Sequence, residues 1–171
     1  MTKANEAALS LGSNLGDREA NLVDARRRIS SVDGIEFLCS SPLYETEPVD
    51  VLPEYSSMKF LNAVVVVKTT LDAEDLMCVL EEIETDLGRG QGDGQNMPRL
   101  IDIDIIYIAG CSIRGKDLVV PHPRWFLRRF VVQPLSDVRP DMIVEGQDRK
   151  VSDILTTLPD GQNIILFKRE W

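Results

Sequence analysis

The run Arg99-Leu-Ile-Asp102-Ile-Asp104-Ile-Ile-Tyr-Ile108 sets two carboxylates at i and i+2 inside an apolar, β-branched stretch. A strand projects alternate side chains to one face, so Asp102 and Asp104 would stand side by side with Cα atoms about 7 Å apart. A hard cation such as Mg²⁺ takes oxygen ligands and is commonly held by one or two carboxylates together with substrate phosphates. Two such aspartates can hold one ion, or a pair about 4 Å apart. An isolated Asp-x-Asp is more often the polar face of a half-exposed strand. Two features weigh against that here: aspartate is depleted in strands, and neighbouring like charges repel unless a cation lies between them.

Directly before this run, Arg89 and Arg99 flank a loop from Gly90 to Pro98, and glycines alternate from Gly88 to Gly94. Such freedom of the backbone would let both arginines close onto a bound triphosphate, the loop acting as a lid. The plainer explanation is a flexible connector between helix and strand. The loop is not a P-loop, because neither Gly-x-x-x-x-Gly-Lys-Ser/Thr nor Gly-x-Gly-x-x-Gly occurs.

Phe60 and Asn62 also stand at i and i+2, putting an aromatic ring and an amide on one strand face. That pairing suits a flat heteroaromatic ligand: stacking adds on the order of 1 kcal/mol beyond area burial, and the amide offers both donor and acceptor to a ring edge. A core phenylalanine is the commoner reading of Phe60. Asn62 needs a partner of some kind, because a buried amide without one costs roughly 1 to 3 kcal/mol. His122 is the sole histidine, held between Pro121 and Pro123 and close in sequence to Arg124, Arg128 and Arg129. It could donate to a phosphate oxygen or be a surface turn residue. A solvated helix face explains at least one of the three arginines.

The elements that must position these residues follow from periodicity. Glu6 to Ser13 reads as a strand, leading through Gly12-Ser13-Asn14 into a helix over about Asp17 to Val32, with Leu22, Ala25, Ile29 and Val32 on one face. Ile35 to Thr46 and Met58 to Thr70 are the next strands. Asp72 is the expected N-cap of a second helix with the stripe Leu76, Leu80, Ile83 and Leu87, stopped by Gly88. A strand from Leu100 to Ala109 follows. Strand, helix, strand, strand, helix, strand predicts an α+β chain of ferredoxin-like βαββαβ order, an antiparallel sheet backed by two helices with C-terminal additions. In those additions Val119 to Pro123 reads as extended, Arg124 to Asp137 as partly helical and Asn163 to Lys168 as a short strand, with only a structural role for 145–171.

At 171 residues and 43% apolar content the chain suits one well-buried domain, 1–171. No apolar run is long enough to span a bilayer and the first residues lack signal-peptide organisation, so a cytoplasmic protein with no membrane partner is expected. Cys39, Cys78 and Cys111 have neither disulfide-framework nor zinc spacing. A net charge of −9 argues against nucleic acid. The first 88 residues carry 7 basic against 17 acidic side chains, whereas from Arg89 to Arg129 seven basic residues face four aspartates. That local excess suits a small polyphosphate better than a long polyanion.

Taken together, Leu11-Gly-Ser-Asn14, Tyr44-Glu-Thr-Glu-Pro-Val49, Phe60-Leu-Asn-Ala63, Glu84 with Arg89, Pro98-Arg99 with Ile101-Asp-Ile-Asp-Ile105, Val120-Pro-His-Pro123 and Arg128-Arg-Phe130 resemble the 6-hydroxymethyl-7,8-dihydropterin pyrophosphokinases of folate biosynthesis. The resemblance implies transfer of the pyrophosphoryl group of ATP, as co-substrate, to the pterin hydroxymethyl oxygen, with release of AMP. By matching positions, Asp102 and Asp104 would bind two Mg²⁺ ions. Thr46, Pro48, Val49, Phe60, Asn62 and Phe130 would form the pterin site, Phe60 and Phe130 sandwiching the ring. Glu84, Arg99, Ile105, His122 and Arg128 would contact ATP, and Arg89 with Arg99 would assist transfer. Gln91 and Asn96 depart from the family pattern in the loop. Two other classes use similar parts: palm-type nucleotidyl transferases and cyclases, which release pyrophosphate, and ligand-sensing modules, which bind without turnover.

Overall fold

The structure, a computed structural model, describes residues 4–48, 52–88 and 97–171. Strand β1 (Asn5–Ser13) lies inside the sheet, and its alternation sends Ala7, Leu9 and Leu11 to one face and Ala8, Ser10 and Gly12 to the other. Asp17 caps helix α1 (Arg18–Ser30), its carboxylate accepting from Ala20 N at 3.0 Å, so one of the N–H groups left open at a helix start is satisfied. Leu22, Ala25 and Ile29 form the buried stripe of α1.

The expected single strand over 35–46 is two strands, β2 (Ile35–Ser40) and β3 (Leu43–Thr46). The break falls at Ser41-Pro42, where proline has no N–H to give a ladder. Ser41 bridges the gap: its N–H donates to Val64 O and its Oγ accepts from Val64 N, both at 2.9 Å. Strand β4 (Phe60–Thr69) therefore carries β3 against its first residues and β2 against its last, with β1 along its other edge, all antiparallel. Helix α2 (Ala73–Asp86) begins at Asp72, whose carboxylate accepts from Asp75 N at 2.8 Å. It ends before Gly88, whose φ of +105° favours glycine and where a Cβ would lie 2.8 Å from Leu100 Cδ1.

Strand β5 (Asp102–Ile108) pairs antiparallel with the free side of β1. The rest of the chain adds a hairpin of β6 (Ile113–Arg114) and β7 (Val119–Val120), a cis Val120–Pro121 bond, a 3-10 turn over Trp125–Leu127, helices α3 (Arg129–Val138) and α4 (Val151–Thr157), and strand β8 (Ile164–Lys168). The sheet order is β5-β1-β4-β3-β8, with β2 also on β4. This is a mixed fold of an antiparallel sheet and four helices among the described residues.

The expected two helices back only one face. There Leu9, Leu11, Val65, Val67, Ile103 and Ile105 pack with Leu22, Ile29, Leu76 and Leu80 of α1 and α2. On the opposite face Ala8, Val64, Val66, Ile106 and Tyr107 pack with Trp125, Val132, Leu135 and Ile154 from the C-terminal additions. A bulge makes this possible: the β1–β5 register shifts between Ala8 and Leu9, so Ile106 and Tyr107 both join the second core. No helix among the described residues is long and apolar enough to cross a membrane.

Candidate active site

Directly opposed residues of an antiparallel ladder share a face. The register aligns Asp102, Gly12, Asn62 and Tyr44 in one row across β5, β1, β4 and β3. Asp104 and Ser10 stand in the next row beside Val64, and Phe60 opposes Thr46. The two aspartates thus share a face with Phe60 and Asn62, and that face is the one the C-terminal helices cover only in part. Gly12 lies between the two sets. A Cβ there would come within 3.2 Å of Asn62 Oδ1 and 3.7 Å of Phe60 Cδ1, so its hydrogen keeps the floor of the site open.

The amide of Asn62 finds its partner in Thr46, Nδ2 donating to Oγ1 at 2.8 Å with both residues buried. That bond removes the cost of a buried amide and fixes which way Asn62 faces. Thr46 also lines a cavity of about 120 Å³ together with Pro48, Phe130, Arg129, Gln162 and Ile164. Four of the residues expected around a flat ring are therefore joined: Thr46, Pro48 and Phe130 by the cavity, Asn62 by its bond to Thr46. Phe60 is set beside them by register. Val49 lies outside the described residues.

Arg99 is held by its backbone. Its N–H donates to Asn14 Oδ1 at 2.8 Å and its carbonyl accepts from Asn14 N at 3.3 Å. From there Nη1 reaches Asp102 Oδ1 at 2.7 Å, with the guanidinium 19% and the carboxylate 31% exposed. Asp102 thus presents an oxygen to a cation, and Asp104 stands beside it on the same face. Two hard oxygen donors in this relation fit a Mg²⁺ site. Arg89 and the glycine loop through Asn96 lie outside the described residues.

His122 is tied to β5 by its N–H donating to Ile106 O at 2.8 Å, and its Nδ1 accepts from Arg124 N at 3.1 Å. Burial, with the positive charges of Arg128 and Arg124, pushes its pKa down to about 4 against a smaller opposing pull from Asp102. The imidazole is neutral at pH 7, and because Nδ1 is an acceptor the ring proton belongs on Nε2. The same electrostatics put His122, Arg124, Arg128 and Asp102 in one neighbourhood. Arg128 in turn lays its guanidinium 5.6 Å from the centroid of the Phe130 ring.

Two expected nucleotide contacts are placed differently. Glu84 is buried in α2 with Oε1 accepting from Ile103 N at 2.6 Å, so this carboxylate secures the backbone of β5 behind the aspartates. Ile105 turns its side chain into the core under α1 and α2, because it alternates with Asp104. Its strand, β5, stands at the end of the sheet order, paired with β1 through Leu9.

Sequence reasoning gives no place in the site to Gly12, Asn14 or Gln162, and reads Gly12 and Asn14 only as part of the connection into the first helix and of the Leu11-Gly-Ser-Asn14 motif. A glycine inside a strand was a usable signal for Gly12. Asn14 and Gln162 act on residues 85 and 33 positions away in the chain, which no local pattern reports.

The family model of 7,8-dihydro-6-hydroxymethylpterin-pyrophosphokinase matches residues 8–140. The 2-amino-4-hydroxy-6-hydroxymethyldihydropteridine pyrophosphokinase of Bacillus subtilis is 36% identical over 134 residues, 78% of each chain. The folic acid synthesis protein FOL1 of Dictyostelium discoideum is 37% identical over 160 residues, 94% of this chain and 23% of that one. This chain thus spans about a quarter or less of several of the multi-part relatives it matches. A Plasmodium falciparum HPPK-DHPS crystal structure shares the fold with a TM-score of 0.71 at 16% identity, over 91% of this chain and 43% of that one. A family match across more than three quarters of its length, and a relative of similar size at more than a third identity, show that the chain belongs to the 7,8-dihydro-6-hydroxymethylpterin-pyrophosphokinase family.

Proposed function

We propose that this chain transfers the β,γ-pyrophosphoryl group of ATP to the hydroxymethyl oxygen of 6-hydroxymethyl-7,8-dihydropterin, a step of tetrahydrofolate biosynthesis, acting in the cytoplasm as one domain over 1–171 on a ferredoxin-like frame. The hydroxyl oxygen attacks the β-phosphorus, the bond from that phosphorus to the oxygen bridging it to the α-phosphate breaks, AMP leaves and the hydroxyl proton is lost. The observation that carries the reading is the register across β5, β1 and β4, which sets Asp102, with Asp104 in the next row, on the same face as the ring-recognising amide of Asn62, with Gly12 of β1 between them.

Phosphoryl-type transfer asks a protein chiefly for in-line positioning and charge neutralisation. The pterin lies over Gly12 between Phe60 and Phe130, its ring edge against Asn62, whose orientation Thr46 maintains, with Pro48 closing the side; Val49, which the resemblance adds to this site, lies outside the described residues. Asp102 and Asp104 would hold two Mg²⁺ ions. Bound there, the ions would lower the pKa of the attacking hydroxyl and offset phosphate charge. Arg99 sits within 2.7 Å of Asp102, so its guanidinium can exchange that carboxylate for a phosphate oxygen when ATP arrives. The resemblance makes Arg89 the second arginine assisting transfer. His122 donates from Nε2 to a phosphate oxygen and Arg128 supplies charge beside it. Glu84 holds β5 in place, and Ile105 contributes main-chain groups to the nucleotide.

The test is incubation with ATP, Mg²⁺ and the hydroxymethyl dihydropterin, following nucleotide products. AMP formed only when pterin is present supports the reading. Pyrophosphate release without pterin overturns it in favour of a palm-type nucleotidyl transferase.

A further inference from the structure

We propose that Gln162 is a positioning residue for the pterin pocket: it clips the segment carrying Arg128 and Phe130 to the end of β3, and so brings the C-terminal segment 158–164 into the substrate site. The proposal rests on the pterin reading above. It replaces the purely structural role expected of the tail, and these residues lie beyond the 8–140 stretch of the family match.

The cavity has two walls and a closure. Thr46 and Pro48 form one wall, Phe130 and Arg129 the other, and Gln162 with Ile164 fills the angle between them. Ile164 is the register partner of Thr46, so β8 fixes the closure to the first wall. Gln162 fixes it to the second, with both ends of its amide engaged. Its Oε1 accepts from Arg129 N at 2.6 Å and its Nε2 donates to Leu127 O at 3.1 Å. Arg129 opens α3, and Arg128 at the N-cap position makes no side-chain cap bond. Gln162 thus supplies from 33 residues away the acceptor that a helix start otherwise takes from its own cap. A third link runs from Arg129 Nη2 to Leu158 O at 3.1 Å.

These bonds bracket Arg128 and immediately precede Phe130. A shift of the first turn of α3 would carry the rigid Phe130 ring with it, whereas the long Arg128 side chain can readjust. Loss of the Gln162 amide should therefore be felt by the pterin far more than by the nucleotide. The rest of the tail is anchored independently. Trp171 Nε1 donates to Ser41 O at 2.7 Å and the Arg26 guanidinium lies 4.3 Å from the Trp171 ring, so β8 stays in place without the clip.

The experiment titrates the full chain, with Mg²⁺ and a non-hydrolysable ATP analogue present, with fluorescent 6-hydroxymethylpterin. Wild type, Gln162→Met and Gln162→Glu are compared, and the Kd for the analogue and the Tm are measured for each. Gln162→Met preserves length and removes both bonds. It should raise the pterin Kd about tenfold, leave the nucleotide Kd within about twofold and hold the Tm within a few degrees. Gln162→Glu keeps an acceptor for Arg129 N–H but sets an oxygen against Leu127 O, and should fall between the two. An unchanged pterin Kd in Gln162→Met overturns the proposal, as does equal weakening of both ligands with a falling Tm. A wild-type chain that binds nucleotide but no pterin overturns the pterin reading itself.

Discussion

The two faces of the sheet are built by the same strands and do opposite work. On the face under α1 and α2 the middle of β1, β4 and β5 presents apolar residues at alternate positions: Leu9 and Leu11, Val65 and Val67, Ile103 and Ile105. One residue along in each strand, the other face changes character from end to end. Ala8, Val66 and Ile106 pack under the C-terminal additions, while Gly12, Asn62, Asp102 and Asp104 lie at the other end. A period of two lets one strand serve both purposes, because a residue's face is decided by its parity and not by its neighbours in sequence. The rigid apolar side is what allows the polar side to hold two mutually repelling carboxylates in place.

The largest test of this contrast is the paired change Asp102→Asn with Asp104→Asn. AMP formation should fall by about a thousandfold or more, since the cation ligands are gone. The Tm should change little, because relief of a like-charge repulsion offsets the loss of the partly buried Arg99–Asp102 pair. A folded double variant that still makes AMP would break the assignment.

Leu9→Ala tests the other side. Leu9 is fully buried opposite Val65 and Ile105, and the change should cost about 2 to 5 kcal/mol in denaturant unfolding. Activity per folded molecule should remain within about twofold, measured below the unfolding transition. Comparable loss of activity and stability would mean that the faces are not separable.

Gly12→Ala adds one methyl group to the site face. With Asn62 Oδ1 only 3.2 Å from that position, the amide must yield, and the pterin KM should rise about tenfold with the ATP KM little changed. Steady-state kinetics with each substrate varied would show it. An unchanged pterin KM would take the pterin off the floor above Gly12.

The smallest effect belongs to His122. As the sole histidine it gives a single imidazole titration by NMR, expected near pH 4. Its folded pKa lies below the ordinary value of about 6.5, so the unfolded chain binds the extra proton between these two values. Stability from this group is present above about pH 6.5 and is lost as the pH falls towards 4. His122→Gln should remove that slope, and a midpoint near the ordinary histidine value would place the ring in solvent.

Much of this was legible beforehand because it is local. The Asp72 cap, the stripes of α1 and α2 and the strand parity of Asp102 with Asp104 follow from spacings of two to four residues. The Ser41-Pro42 break was misread because the flanking segments are both strand-like and only the proline's missing N–H separates them. The resemblance makes Glu84 and Ile105 nucleotide contacts, and only the folded chain shows what their side chains meet, the N–H of Ile103 for Glu84 and the core for Ile105.

By itself, then, the order of residues determined the first helices and most of the strands up to Ile108, which parity of β5 carries charge, and the family those motifs mark. Tertiary structure alone decided that Asp102, Gly12, Asn62 and Tyr44 share a row, that Asn14 holds Arg99, and that Gln162 reaches across to Leu127 and Arg129. The physical reason is one of range. Dihedral preferences and hydrophobic period act over a few residues, whereas pairing register and side chain to backbone bonds between distant segments exist only once the cores on both faces have closed.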